Sequence, residues 1–542
     1  MQSNMMNRPL LVSSIIEHAI NTHPSTEIVS RRCEGDIHRY TLADSALRAK
    51  KLANALIKHG ISQSDRIATL AWNNYRHYEL YFGVAGMGAV LHTVNPRLFP
   101  EQLIYIINHA KDKWLFVDLT FIPLLEAIKD QITGIEKFVI LADKANMPKT
   151  SLPNVICYET LIENESELYE WPEFDENQGA YLCYTSGTTG HPKGVMYSHR
   201  STVLHSMASI SADALGLNSQ SCILPVVPMF HVNAWGTPFS CAIVGAKMVF
   251  PGPGMDGASI WELIDAEQPD LLLGVPTIWL MLLNHMSEIG KKLESVNNVV
   301  VGGSAAPLSM IQRFQEDHDA FLIHAWGMTE MSPIGTVNAY TKTMVGMPLD
   351  ERYKLQLKQG RPVYGVEMKI VNDEGEELPH DGVAFGNLLV RGPWITGSYY
   401  LNDDQSSFKD GWFDTGDVAT IDPNNYLSLV DRAKDVIKSG GEWISSIDLE
   451  NVAIGHPDLL ECCVIGVPHE KWDERPILLA IKKEGSSVHA AAVQDFLSDK
   501  IAKWWMPDDV IFVSELPHTA TGKLLKINLR KEYQNHLVNT SK

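Results

Sequence analysis

The chain has 542 residues, 45% hydrophobic and 20% charged, an ordinary globular composition long enough for several domains. Lys and Arg total 45 against 65 Asp and Glu, so the formal charge of −20 argues against a generic nucleic-acid surface but leaves room for a small basic pocket. The seven cysteines are scattered and lack CxxC spacing, so neither a disulfide framework nor a zinc site is indicated. The N-terminus carries no signal pattern. The longest apolar run, residues 271–283, is too short to span a membrane and contains Gly274 and Pro276. A soluble protein of a reducing compartment, the cytoplasm, is expected.

In chain order, Thr41 and Asp44 predict the start of an amphipathic helix carrying Leu47, Leu52 and Leu56 and closed by Gly60. Strand-like residues 66–71 follow, then a helix over 78–87, then strands at 90–94, 114–117 and 138–141. This βα rhythm predicts a largely parallel sheet covered by helices on both faces. After a polar stretch at 163–178, strand-like residues 180–184 run into a Gly/Thr/Ser loop, with a helix starting near Ser201. Residues 271–275, 299–301 and 321–324 read as further buried strands. In open α/β sheets ligands sit at the carboxyl ends of strands, so the loops after these segments are expected to converge.

Near Asp431 the pattern changes. Strands at 462–467, 476–482 and 510–513, with a helix at 490–501, predict a separate small α+β unit. The expected division is 1–431 for a large N-terminal domain and 432–542 for a small mobile C-terminal domain. The short, charged segment Asp431-Arg-Ala-Lys-Asp435 suits a hinge, placed near Lys434.

The loop Tyr184-Thr-Ser-Gly-Thr-Thr-Gly-His-Pro-Lys-Gly194 is the strongest chemical signal. Gly187, Gly190 and Gly194 permit close backbone approach. Thr185, Ser186, Thr188 and Thr189 add hydroxyls, and Lys193 a positive charge, a combination suited to a polyphosphate. Gly194 after the lysine excludes a Walker A loop.

This loop resembles the phosphate loop of the acyl-adenylate-forming enzymes: acyl-CoA ligases, luciferases and peptide-synthetase adenylation domains. Further segments match in the same order: Gly302-Gly-Ser-Ala-Ala-Pro307, Trp326-Gly-Met-Thr-Glu330, Trp412-Phe-Asp-Thr-Gly-Asp417, residues 431–441 and Pro517-His-Thr-Ala-Thr-Gly-Lys523. The resemblance covers roughly residues 10 to 530. It implies an α/β fold and an ATP- and Mg²⁺-dependent acid:CoA ligase, in which a carboxylate and ATP give acyl-AMP and pyrophosphate, and CoA then displaces AMP. Such a reaction brings an anion to a polyanion, so charge neutralisation should be the main catalytic contribution.

The resemblance also implies roles residue by residue. Triphosphate contacts go to Thr185, Ser186, Gly187, Thr188, Thr189, Gly190 and Lys193, and the metal to Glu330 with Thr185 nearby. Gly303, Ser304, Ala305, Trp326, Gly327, Met328 and Thr329 face AMP, Asp417 takes the ribose hydroxyls, and Arg432 contacts ribose or phosphate. Lys523 bridges the attacking carboxylate and the α-phosphate. After rotation of the small domain, Lys438, Gly440, Gly441, Glu442, Trp443 and Glu474 face CoA. Homodimerisation is common in the resembling family.

The acid site is assigned to His231, Trp235, Gly302, Gly303, Trp326 and Pro333. His231 and Trp235, four apart, would share one face if helical. No carboxylate occurs from Pro228 to Pro238, which weighs against an amino-acid substrate, and the bulk of Trp235 favours a short or medium acyl chain. Trp326 stands where a tyrosine is frequent in the family; its indole can stack on adenine but lacks the hydroxyl. The match is strongest to bacterial short- and medium-chain ligases, implying 3-methylmercaptopropionate or a similar acid as substrate. The alternatives are a medium-chain fatty acid ligase, an adenylation enzyme loading a carrier protein, a luciferase-like oxidase and a non-catalytic nucleotide sensor.

Overall fold

The computed structural model describes residues 3–185, 191–439, 442–518 and 524–537. Ser186, Gly187, Thr188, Thr189, Gly190, Gly440, Gly441 and Lys523, and the side chains of Glu442 and Trp443, lie outside the described residues.

The described chain forms four sheets. A seven-stranded sheet runs Val155–Cys157, Lys137–Ile140, Trp114–Val117, Arg66–Leu70, Val90–Thr93, Gly179–Tyr184, Gly194–Ser198. Its neighbours are parallel except the last pair. The nine-stranded sheet is parallel through Glu27–Arg31, Lys247–Phe250, Cys222–Pro225, Leu271–Gly274, Asn298–Val301 and Phe321–Gly327, with antiparallel strands at both edges. The α/β class expected from the βα rhythm is what forms. The helix expected near Ser201 forms, and between it and the Gly/Thr/Ser loop lies a strand that the sequence reading did not include. Gly194–Ser198 pairs back antiparallel on Gly179–Tyr184, and helix His199–Ser209 begins directly after it.

Helix Tyr75–Gly86 is buried along its entire length. The apolar residues on all its faces belong to the same core as residues of both large sheets. Helix Leu42–Lys58 lies against it and begins as predicted, with Thr41 and Asp44 closing a capping box. Leu52 and Leu56 face the core, whereas Leu47 is partly exposed.

A third, antiparallel sheet of five strands, built on Glu367–Val371, Phe385–Arg391, Trp412–Ile421 and Leu427–Arg432, was not legible in the sequence. In Phe385–Arg391 only Gly386, Leu388 and Val390 are buried, and Leu389 on the outer face masks the alternation. Strand membership passes to the fourth sheet between Arg432 and Ile437. That sheet contains Leu459–His469, Asp473–Lys482 and Asp509–Phe512, and packs on helices Ser446–Ala453 and Ala490–Ser498. Cys462 and Cys463 lie in two different apolar clusters, as adjacent strand residues on opposite faces must. The result is a large α/β unit with a smaller α+β unit at its C-terminal end.

Candidate active site

A cavity of about 780 Å³ opens where the carboxyl ends of the parallel strands meet the small unit. Thr185 after one strand, Gly302 and Gly303 after another, and Trp326 through Glu330 at the carboxyl end of a third all line it, so the predicted convergence is realised. Ser304 and Ala305 belong to the same turn as Gly303 but do not form part of the wall.

Trp326, which lines the cavity, and Asp417, which does not, are buried together, and the indole Nε1 donates to Asp417 Oδ2 at 3.0 Å. Arg432, cross-strand partner of Asp417, places Nε 2.9 Å from Oδ1 and also donates to the Thr415 carbonyl. The two Asp417 oxygens are thus oriented by one neutral and one cationic donor. The sequence reading anticipated only a ring for stacking at Trp326; the indole N–H has a partner of its own.

Thr185 and Lys193 close the base of the hairpin formed by the two paired strands. The Thr185 N–H donates to the Lys193 carbonyl at 2.9 Å, and the Lys193 N–H to Thr185 Oγ1 at 3.1 Å. Lys193 Nζ rests 3.3 Å from Asp404 and 4.6 Å from the centroid of the Tyr399 ring. A hydrogen bond from Ser406, with Lys193 adding to it, holds the Asp404 carboxyl down at about 2. Tyr399 also donates its hydroxyl to Glu330 Oε1 at 2.9 Å, and Glu330 is buried. The Thr396 N–H donates to the Glu330 carbonyl at 2.8 Å, so two groups of the 396–399 segment fix this residue.

The 232–235 segment corrects a prediction. Residues Val232, Asn233, Ala234 and Trp235 have φ of 48°, 53°, 47° and 57°, a left-handed turn completed by Gly236. His231 and Trp235 are therefore not neighbours on a right-handed helical face. Such a turn costs about 1–2 kcal/mol per non-glycine residue and persists only where the surroundings over-determine it. Here the Ala234 N–H donates to the Pro228 carbonyl and Thr237 Oγ1 to the Ala234 carbonyl, while Tyr81 of the buried helix donates to Asn233 Oδ1 at 3.1 Å. The outcome still sends both residues to the cavity wall. The Trp235 ring lies over Gly302, where a Cβ would come within 2.9 Å of its Cη2. Val232, Leu273, Val300, Ile334 and Val337 complete an apolar end, with Pro333 beside them.

With this geometry in place, two matches decide the family. Residues 16–400 match the AMP-binding enzyme family, and residues 448–523 its C-terminal domain. The chain belongs to the AMP-binding enzyme family. It is 53% identical over 537 residues to a 3-methylmercaptopropionyl-CoA ligase of Ruegeria lacuscaerulensis, covering 99% of this chain and 100% of that one. It is 50% identical over 541 residues to a medium-chain-fatty-acid–CoA ligase of Ectopseudomonas oleovorans, covering 100% and 99%. Among solved structures, an anthranilate CoA ligase in complex with anthranoyl-AMP superposes with a TM-score of 0.87 at 25% identity, covering 99% of this chain and 100% of that one. The enzyme is an acid:CoA ligase that forms acyl-CoA from acid, ATP and CoA through an acyl-adenylate.

In this member of the family the small unit reaches the cavity with Lys434, with residues 524–527 and with Arg530. Lys438 and Glu474 are adjacent to each other, the Lys438 N–H donating to Glu474 Oε2 at 3.0 Å, but neither lines the cavity. Lys526, which in sequence reads as one basic residue of a tail, is buried. It pairs with Glu450 at 2.8 Å and donates to Ser446 Oγ, which in turn donates to Asp431. Burial opposes the charge on Lys526, but Glu450 and Asp431 outweigh it and hold its ammonium well above the usual lysine range. Tyr399, Asp404 and Lys526 were not anticipated. Their side chains act by pairing with residues distant in sequence, and no local motif marks them.

Proposed function

We propose that the physiological acid is 3-methylmercaptopropionate or a short- to medium-chain acid of similar size. The observation that supports this reading is the Trp235 ring, which lines the cavity and lies over Gly302. The names of the two relatives point to the same size range. An apolar pocket discriminates one methylene by only about 1–3 kcal/mol, so several acids should compete.

The resemblance and the geometry support a division of labour. The acid's carboxylate oxygen attacks the α-phosphorus as the bond to pyrophosphate breaks. Asp417, oriented by Trp326 and Arg432, accepts from the ribose hydroxyls. Lys193 leaves Asp404 for the polyphosphate, a better partner because its charge is larger. Glu330 and Thr185 offer the hard oxygen donors that Mg²⁺ prefers. When bound, Mg²⁺ would neutralise charge on those oxygens.

Lys523 would serve adenylation. Rotation near Lys434 would then bring Lys438, Gly440, Gly441, Glu442, Trp443 and Glu474 to the cavity for attack of the thiol on the acyl carbon. The position of Lys438 and Glu474 away from the wall supports a second arrangement of the small unit. No described helix is long and apolar enough to cross a membrane, and we propose a cytoplasmic homodimer on the family resemblance.

The deciding measurement is AMP formation with ATP and Mg²⁺ across acids from acetate to palmitate, including 3-methylmercaptopropionate and aromatic acids, with and without CoA. CoA-dependent AMP peaking at about three to six carbons is expected from the bulk of Trp235 in the wall. Acid-dependent pyrophosphate exchange without stimulation by CoA would assign the acyl group to a carrier protein or to oxygen.

A further inference from the structure

The cavity wall around Trp235 and Pro333 comes from two segments distant in sequence: the left-handed turn at 232–236 and the start of strand Ile334–Val337. One buried imidazole stands behind both. His205 belongs to helix His199–Ser209, which contributes no residue to the described cavity wall, and it is 1% exposed. Its Nε2 accepts the Ile334 N–H at 3.3 Å. The same ring lies against Gly236, where an added Cβ would come within 2.7 Å of its Cε1 and 2.8 Å of its Nδ1.

Both segments depend on such support. Gly236, with φ of 78°, ends a run of four non-glycine residues at positive φ, a conformation that persists only where neighbours over-determine it. The Ile334 backbone is held on both sides, its N–H by His205 and its carbonyl by Trp394 Nε1 at 3.0 Å. The Trp394 ring stands edge-on to His205 with centroids 6.0 Å apart, and the Trp394 carbonyl accepts from Ser332 Oγ at 2.9 Å. The Pro333 carbonyl accepts the Met328 N–H at 3.1 Å, so this strand start is tied to the Trp326–Glu330 wall as well. The helix that carries His205 is in turn fixed to the helix after the turn, with Ser209 Oγ and Ser240 Oγ 2.6 Å apart.

The chemistry of the ring suits this place. Burial holds His205 down at about 3, so the imidazole stays neutral and Nε2 keeps its lone pair for Ile334. An apolar side chain of similar size would fill the space but strand a buried N–H. The other buried histidines serve elsewhere. His77, His199 and His324 bond to Trp72, Val12 and Leu357, none of which lines the cavity, whereas Ile334 does. We propose that His205 is a positioning residue for acid selectivity. By bonding Ile334 and packing on Gly236, it sets the separation between the Trp235 turn and the Pro333–Ile334 wall, and hence the length of acid accepted. This rests on the reading that the acid lies against Trp235.

The test measures acid-dependent ATP–pyrophosphate exchange across acids from acetate to palmitate, with KM for acid and KM for ATP determined separately. Wild type is compared with His205→Leu, His205→Ala and His205→Gln, and with Trp235→Ala as a control. His205→Leu removes the acceptor and keeps the bulk. Its KM for the best acid should rise about 5-fold, the value of one neutral hydrogen bond, and discrimination between neighbouring chain lengths should weaken, with KM for ATP unchanged. His205→Ala also opens space behind Gly236 and should move the optimum to longer acids. His205→Gln, whose side-chain oxygen can take the place of Nε2, should restore most of the wild-type profile. If thermal unfolding shows that His205→Ala does not fold, the Leu and Gln variants carry the test. A wild-type KM and chain-length profile in His205→Leu overturns the proposal. So does an equal rise in KM for acid and ATP, or the same loss in His205→Gln as in His205→Leu. An unchanged profile in Trp235→Ala would remove the acid-site reading and this proposal with it; a shift in Trp235→Ala with none in the His205 variants would remove the proposal alone.

Discussion

Trp326 and Asp417, 91 residues apart, share a buried hydrogen bond that ties the end of a parallel strand to the antiparallel sheet. The indole holds one carboxylate oxygen and Arg432 the other. Trp326→Phe keeps the aromatic face and removes the donor. Because the acceptor is charged, the loss is about 1.5–3 kcal/mol, and the KM for ATP should rise by about 10- to 100-fold. The acyl chain-length profile should not move. Exchange kinetics at varied ATP check this; an unchanged KM would mean Arg432 alone orients Asp417.

Gly302 and Trp235 meet in the cavity wall, and in the proposed reading they set the reach of the acid pocket. A methyl group at Gly302 would press on the ring at 2.9 Å, so Gly302→Ala should move the optimum to shorter acids. Trp235→Ala should move it to longer ones. Each extra methylene accommodated is worth about 0.8 kcal/mol, a shift of a few-fold per carbon in kcat/KM. An identical chain-length profile in both variants would place the acyl chain elsewhere.

Tyr399 orients Glu330 through one hydroxyl. Tyr399→Phe should cut adenylation by about 10-fold at low Mg²⁺, the effect of one hydrogen bond to a charged group, and raising the Mg²⁺ concentration should recover most of it. A Mg²⁺ titration of pyrophosphate exchange tests this. A loss independent of Mg²⁺ would separate Tyr399 from the metal.

Four buried histidines make the fold acid-sensitive. Burial holds His77, His199 and His324 down at about 4 and His205 at about 3, against an ordinary 6.5. His199 and His205 each accept a backbone N–H, from Val12 and Ile334, which a protonated nitrogen cannot do. Their folded pKa values are depressed, so the stabilisation is fully present above 6.5 and is lost as pH falls toward 4 and 3. At pH 5 each histidine forfeits roughly 2 kcal/mol relative to neutral pH. These histidines should lower the Tm between pH 7 and 5. Asp118 partly offsets them, because burial raises its carboxyl to about 7 and the folded state gains a proton over the same range. Thermal unfolding of wild type against a His199→Gln variant checks their share.

Lys526 and Lys523 should separate cleanly. Lys526→Met leaves Glu450 and Asp431 buried without their cation and should destabilise the small unit by about 3–5 kcal/mol. Lys523→Ala should leave stability unchanged and abolish adenylation by orders of magnitude, while supplied acyl-AMP and CoA still react. Equal loss in both half-reactions would remove Lys523 from the adenylation step.

The order of the motifs, the βα rhythm and the side-chain chemistry of the phosphate loop, Glu330 and Asp417 were determined by the sequence alone. Those features are local: strand and helix periods, capping residues and glycine-rich loops write themselves into neighbouring positions. The fold class, the convergence of the carboxyl-end loops and the family followed from them. The tertiary structure alone decided the pairings. Trp326 on Asp417, Tyr399 on Glu330 and Lys526 on Glu450 depend on which strands and helices become neighbours, which no local period encodes. It also decided the hand of the turn at residues 232–235. A spacing of four suggests a right-handed helix, whereas the surrounding hydrogen bonds from Tyr81 and to Pro228 select the left-handed form. The third sheet stayed hidden for a related reason: its strands are half-exposed, and an apolar residue on the solvent face erases the alternation that burial on one side would otherwise leave.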